Sequence, residues 1–118
     1  MDVKTEPDIL AEVHLLATQD GGRKCPTPSD KFGCPVGFEG EYFDMRIDLS
    51  EAGSLSPGMT KEVPIRFLWP ELILPRLRMG SEFTLWDGKT IGHGRVTKIC
   101  GSVYPSSGAN AASPRRSL

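Results

Sequence analysis

The stretch "DGKTIGHGRVTKI", Asp87 to Ile99, decides how the rest of the chain is read. It opens on Asp-Gly, a pair suited to tight hairpin turns whose central residues take positive φ. A strand-like run follows, yet Gly92 and Gly94 stand where a strand normally carries bulk. Ile91 and Ile99 share one parity in this run and Val96 has the other, so a regular strand cannot turn all three inward. One extra residue restores the pattern. A bulge at Gly92 or Gly94 is expected to supply it and to bend the strand as barrel corners require.

Outward from this segment, alternation of period two dominates. "EFTLW" turns Phe83 and Leu85 inward and forms a hairpin with the Asp87-Gly88 turn and the run after it. "YFDMRIDL" sets Phe43, Met45, Ile47 and Leu49 on one face, with Tyr42, Asp44, Arg46 and Asp48 on the other. "MTKEVPIRFL" sends Val63, Ile65 and Phe67 inward, and its Pro64, unable to donate to a ladder, must sit at an edge or an irregularity. "ILAEVHLL" gives a first strand with Ile9, Ala11, Val13 and Leu15 on one face. Turn residues at Asp20-Gly21-Gly22, Ser56-Pro57-Gly58 and Met79-Gly80 punctuate the series, and no segment shows a helical period. Five or six short antiparallel strands in this length indicate an all-β barrel or sandwich.

The 118 residues fit one domain, expected over residues 9–100, between a flexible tail at 1–8 and a disordered Ser-, Ala-, Gly- and Pro-rich tail at 101–118. Lys plus Arg number 14 and Asp plus Glu 15, so affinity for a polyanion has to come from a local patch. The start, Met1-Asp2-Val3-Lys4, has no leader pattern, and no apolar run is long enough to span a bilayer. A cytoplasmic protein without membrane contact is expected. Cys25, Cys34 and Cys100 form no C-x-x-C pair and are read as reduced thiols, the first two in one long loop. No metal or cofactor site is assigned, because His14 and His93 stand alone in the sequence and are read as surface histidines. Without paired carboxylates or a Ser-His-Asp set, no enzyme is expected.

"DGKTIGHGRVTKI" also resembles the closing hairpin of the C-terminal barrel, domain 3, of elongation factor Tu. Two further segments resemble that family in the same order. "AEVHLLATQDGGRK", Ala11 to Lys24, is similar to its first strand and Gly-Gly-Arg-His motif, and "LSPGMTKEVPIRFLWP", Leu55 to Pro70, to the segment around its Met-Pro-Gly. The resemblance spans about Asp8 to Ile99 and implies a six-stranded closed antiparallel β-barrel standing without the GTPase domain. Gly53 to Thr60 mimics the opening of a phosphate loop, but Met59 replaces its Lys, so nucleotide binding is not expected.

In that family the domain touches the backbone of aminoacyl-tRNA. The resemblance therefore implies an RNA-binding set of Arg23, Lys24, Asp87, Gly88 and Lys89, with Lys24 in place of the family's His and Lys31 expected on the same face. Trp69 and Trp86 replace family cations. The implied function is a non-catalytic domain contacting tRNA-like RNA or a translation factor. The alternative is a protein-interaction module, regulatory or immunity-type, that docks through the apolar segment 69–80. That surface would comprise Trp69, Leu72, Ile73, Leu74 and Leu77 with Arg76 and Arg78 as a polar rim, joined by Trp86. The same segment has a second use, folding back to plug one mouth of the barrel.

Overall fold

The computed structural model of the chain describes residues 6–100, and both tails beyond them lie outside the described residues. Six strands form: β1 (Ile9–Leu15), β2 (Lys31–Phe38), β3 (Glu41–Asp48), β4 (Thr60–Phe67), β5 (Glu82–Trp86) and β6 (Thr90–Ile99). All pairings are antiparallel, in the order β1-β4-β3-β2-β5-β6, and β6 returns to β1 to close the barrel. Among the described residues, one helical turn, α1 (Pro70–Ile73), and two short 3-10 turns are the remaining regular structure. Glu6 and Asp8, expected in the tail, are instead held along β4: Arg66 donates to the Glu6 carbonyl, and the Asp8 N–H to the Ile65 carbonyl.

The inward parity of each strand fills the interior. Ile9, Val13, Leu15, Val36, Met45, Ile47, Ile65 and Leu85 are fully buried, so the barrel is a packed core without a lumen. In β6 the inward positions are Ile91, Gly92, Gly94 and Val96. The irregularities flank the glycines rather than fall on them. Against β5, Leu85 pairs with Gly92 and Trp86 with Thr90, which leaves Ile91 as the extra residue. Against β1, Ala11 pairs with Val96 and Leu10 with Lys98, which leaves Thr97. The glycines serve a different purpose, close packing. A Cβ on Gly94 would lie 2.5 Å from Phe83 Cζ, and one on Gly92 would lie 2.5 Å from the His14 carbonyl oxygen.

β2 was expected as loop and is a strand. Its Phe32, Cys34, Val36 and Phe38 point inward, while Gly33, Pro35 and Gly37 occupy the outer face. Both prolines lie at breaks in the ladders. The Ile65 carbonyl faces β1, so Pro64 faces β3, one residue beyond the Ile47–Ile65 pair where that ladder stops. Leu49 donates to the Asp30 carbonyl, so even-numbered β2 residues face β3 and Pro35 faces β5, one residue beyond the last pair, Val36–Leu85. Neither missing N–H therefore costs a ladder bond.

The strand directions sort the connections into two ends. The loops 16–30 and 49–59 and the turn 87–89 lie at the first end; the turn 39–40 and the segment 68–81 lie at the second. At the first, buried Leu49 and Leu55 cap the core, and Thr27 latches the two loops together: its N–H donates to the Leu55 carbonyl and its hydroxyl accepts from the Leu55 N–H at 2.9 Å. At the second, Ile73, Leu74 and Leu77 are buried in the core, so the segment plugs that mouth.

Burial of the core has a consequence for the thiols. Cys34 lies in β2, not in a loop with Cys25, and its pKa is pushed up to about 12, chiefly by burial and further by the Asp87 carboxylate. Since the thiolate is the reactive species, native Cys34 should label with a thiol reagent at pH 8 at least about 100-fold more slowly than exposed Cys25. Mass-spectrometric mapping of a labelling time course measures this, and equal rates would show that β2 opens readily.

Candidate functional site

The RNA-binding candidates converge on the first end. There Gly21, with φ +95°, turns the chain after Thr18–Asp20, and a Cβ on Gly22 would collide with the Leu16 carbonyl. These two glycines place Arg23 beside the hairpin turn, where Gly88 takes φ +76° and the Asp87 N–H donates to the Lys89 carbonyl. Sequence reasoning thus named residues that do meet across the barrel end.

What they do there is bind one another. Arg23 pairs with Asp87 at 3.5 Å, donates through Nε to the Cys25 carbonyl at 3.2 Å and stacks over the Phe32 ring at 4.9 Å. Its guanidinium thus ties the loop 16–30 to the hairpin and to β2. Lys24, Lys31 and Lys89 remain exposed at this end, but Asp20, Asp30, Asp48, Glu51 and Asp87 share it. Asp48 is firmly anionic, because the Ser50 hydroxyl and N–H both donate to its Oδ1, at 2.7 and 2.9 Å, and hold its pKa below the ordinary carboxylate value. A phosphate backbone draws its affinity from uncompensated cations, and this end has few.

The protein-interaction candidates at the second end divide by burial. Ile73, Leu74 and Leu77, expected on the partner surface, face the core instead, because apolar side chains gain more from closing the barrel mouth than from exposure to solvent. Trp69 and Leu72 point outward, 53% and 56% exposed. The Leu72 N–H donates to the Trp69 carbonyl, which closes the turn and keeps the two residues close. Leu68 and Met79 in the same connection are exposed as well.

Arg76, expected on the rim, is a clamp. It donates to Glu39 Oε1 through Nε at 3.0 Å and through a terminal nitrogen at 2.7 Å, and to Glu41 at 3.1 Å, which raises its own pKa; it also lies over the rings of Phe38 and Phe43. Glu39 has φ +52°, a conformation that side chains seldom take, in a two-residue Glu39-Gly40 turn where Asn-Gly is the common choice. The carboxylate explains the residue: it fixes the plug to the hairpin. Arg78 remains exposed as rim.

Trp86 lies on the outer wall, one residue before Asp87. It is 38% exposed and packs against Tyr42, ring centroids 5.6 Å apart, over the small outer residues of β2. Sequence reasoning missed two features of the wall. Arg46 and Arg66 face one another across β3 and β4 beside a cleft of about 540 Å3, with Arg46 lying across Gly33 and Arg66 holding Glu6. His14 and His93 are direct neighbours between β1 and β6. Their separation in the chain hid the second pair. Among the described residues no helix is long and apolar enough to cross a membrane, and no three His, Cys, Asp or Glu residues are grouped to hold a metal ion. No family model matches the chain.

Proposed function

We propose that this protein is a non-catalytic, cytoplasmic binding module that docks on a partner protein through the outer face of the plug. The observation that carries the reading is Trp69 and Leu72 standing exposed beside Ile73, Leu74 and Leu77, which anchor the segment in the core. A rigid support removes the ordering cost of binding, and a tryptophan on such a support is the residue type that most often dominates interface energies. Arg78 supplies a polar rim. Three unpaired thiols are in keeping with a reducing compartment. The resemblance to the C-terminal barrel of elongation factor Tu suggests the class of partner, a component of the translation apparatus.

Capture from the native cell with intact protein and with a Trp69→Ser, Leu72→Ser variant tests the reading. The variant should keep its fold and lose partners that the intact protein retains at 0.5 M salt, roughly, since apolar contacts are little screened. Recovery of the same set by both proteins would sink it. A tRNA titration at low and high salt tests the RNA reading: binding that falls steeply with salt and weakens on Lys24→Ala and Lys89→Ala would favour the first end over the plug.

A further inference from the structure

The β1–β6 register brings together two imidazoles that are 79 residues apart in the numbering from His14 to His93. Their ring centroids are 5.1 Å apart and the rings are tilted by 37°. An imidazole nitrogen binds a divalent late transition ion at about 2.0–2.1 Å, which puts each ring centre about 3.2 Å from the metal. Two rings at that radius with a ligand angle slightly above 100°, roughly, have centres about 5 Å apart, the spacing observed.

The surroundings suit the role. His14 Nδ1 lies 2.8 Å from Thr60 Oγ1, a bond that fixes the ring and leaves its Nε2 for another partner. The cleft at this wall, about 450 Å3, is lined by Glu12, Glu39 and Glu82, with Arg95 as its one cation among the described residues. Arg95 is already paired with Glu12 at 3.5 Å. Glu39 is held in turn by Arg76, so the third carboxylate, Glu82, is the one left to supply negative charge beside the two imidazoles. His93 is exposed and His14 half-buried, so an ion reaches the pair from solvent without any rearrangement of the core.

We propose that His14 and His93 form a two-imidazole chelate for a divalent late transition ion such as Cu2+, Ni2+ or Zn2+, with water or an exchangeable ligand in the remaining positions. Imidazole is the donor that selects these ions over Mg2+ and Ca2+, which require oxygen. Two protein ligands on adjacent strands pre-set the bite and leave the rest of the coordination sphere open.

The test is Ni2+ titration of tag-free protein, with Cys25 changed to serine to remove the exposed thiol, followed by NMR at pH 7.5. Paramagnetic broadening should concentrate on residues around His14, His93 and Thr60. It should fade as the pH is lowered, since protons compete with the metal for imidazole nitrogen, and His93→Ala should weaken binding at least about tenfold. Since His93 is exposed, that variant keeps the fold, which the unbroadened spectrum verifies in the same experiment. Broadening centred elsewhere, or an affinity unchanged by His93→Ala, would overturn the site.

Discussion

Replacing Gly94 by alanine is expected to lower stability by about 2 kcal/mol, a fall in midpoint temperature of about 10 °C for a domain of this size. The added methyl would lie 2.5 and 2.6 Å from two atoms of the Phe83 ring and 3.2 Å from the Glu12 carbonyl oxygen. Phe83 is 4% exposed and wedged in the core, so the ring cannot swing away as a surface side chain would. The mechanism predicts coupling. In a Phe83→Leu background the same methyl should cost at least about 0.5 kcal/mol less, measured by chemical denaturation of the four members of the cycle. Strict additivity would mean that Gly94 is retained for some reason other than the ring.

The plug should give the sharpest contrast between neighbouring residues. Ile73→Ser is expected to cost about 3–5 kcal/mol, because it removes a fully buried aliphatic side chain and leaves a hydroxyl with nothing to bond at the barrel mouth. Leu72→Ser, one residue earlier and 56% exposed, should change stability by less than about 0.5 kcal/mol. Thermal melts of the two variants decide the matter. Equal losses would show that the segment is not seated as described, and the division between an anchoring face and a binding face would fall with it.

Most of the barrel was legible in the amino-acid order. β1, β3, β4 and β5 follow their alternating apolar residues to within a residue or two, because each buries one face and exposes the other. β2 was hidden although its inner face alternates as well, with Phe32, Cys34, Val36 and Phe38. Its outer positions are Gly33, Pro35 and Gly37, which read as loop. Their reason is tertiary: Arg46 lies across Gly33, and a Cβ on Gly37 would meet Thr84 Oγ1 at 2.5 Å with the Tyr42 ring beyond it. Outer smallness here accommodates neighbours rather than marking a turn.

The candidate residues divide the same way. The encounter of Arg23 with Asp87 followed from two glycine turns and the hairpin, all visible locally, but that the two would neutralise each other did not. The bulges illustrate the limit. Parity demanded an extra residue in the last strand to turn Ile91, Val96 and Ile99 inward; two appear, at Ile91 and Thr97, set by the registers of β5 and β1 rather than by β6 itself, and Ile99 stays exposed.

By itself the sequence determined a β protein: its period of two, its turn chemistry and its inward residues are local properties of the chain. Only the tertiary structure decided which apolar residues of 69–80 close the barrel and which remain outside, and that His14 meets His93. Those outcomes depend on strand register and on competition for one buried volume, quantities that no single segment contains.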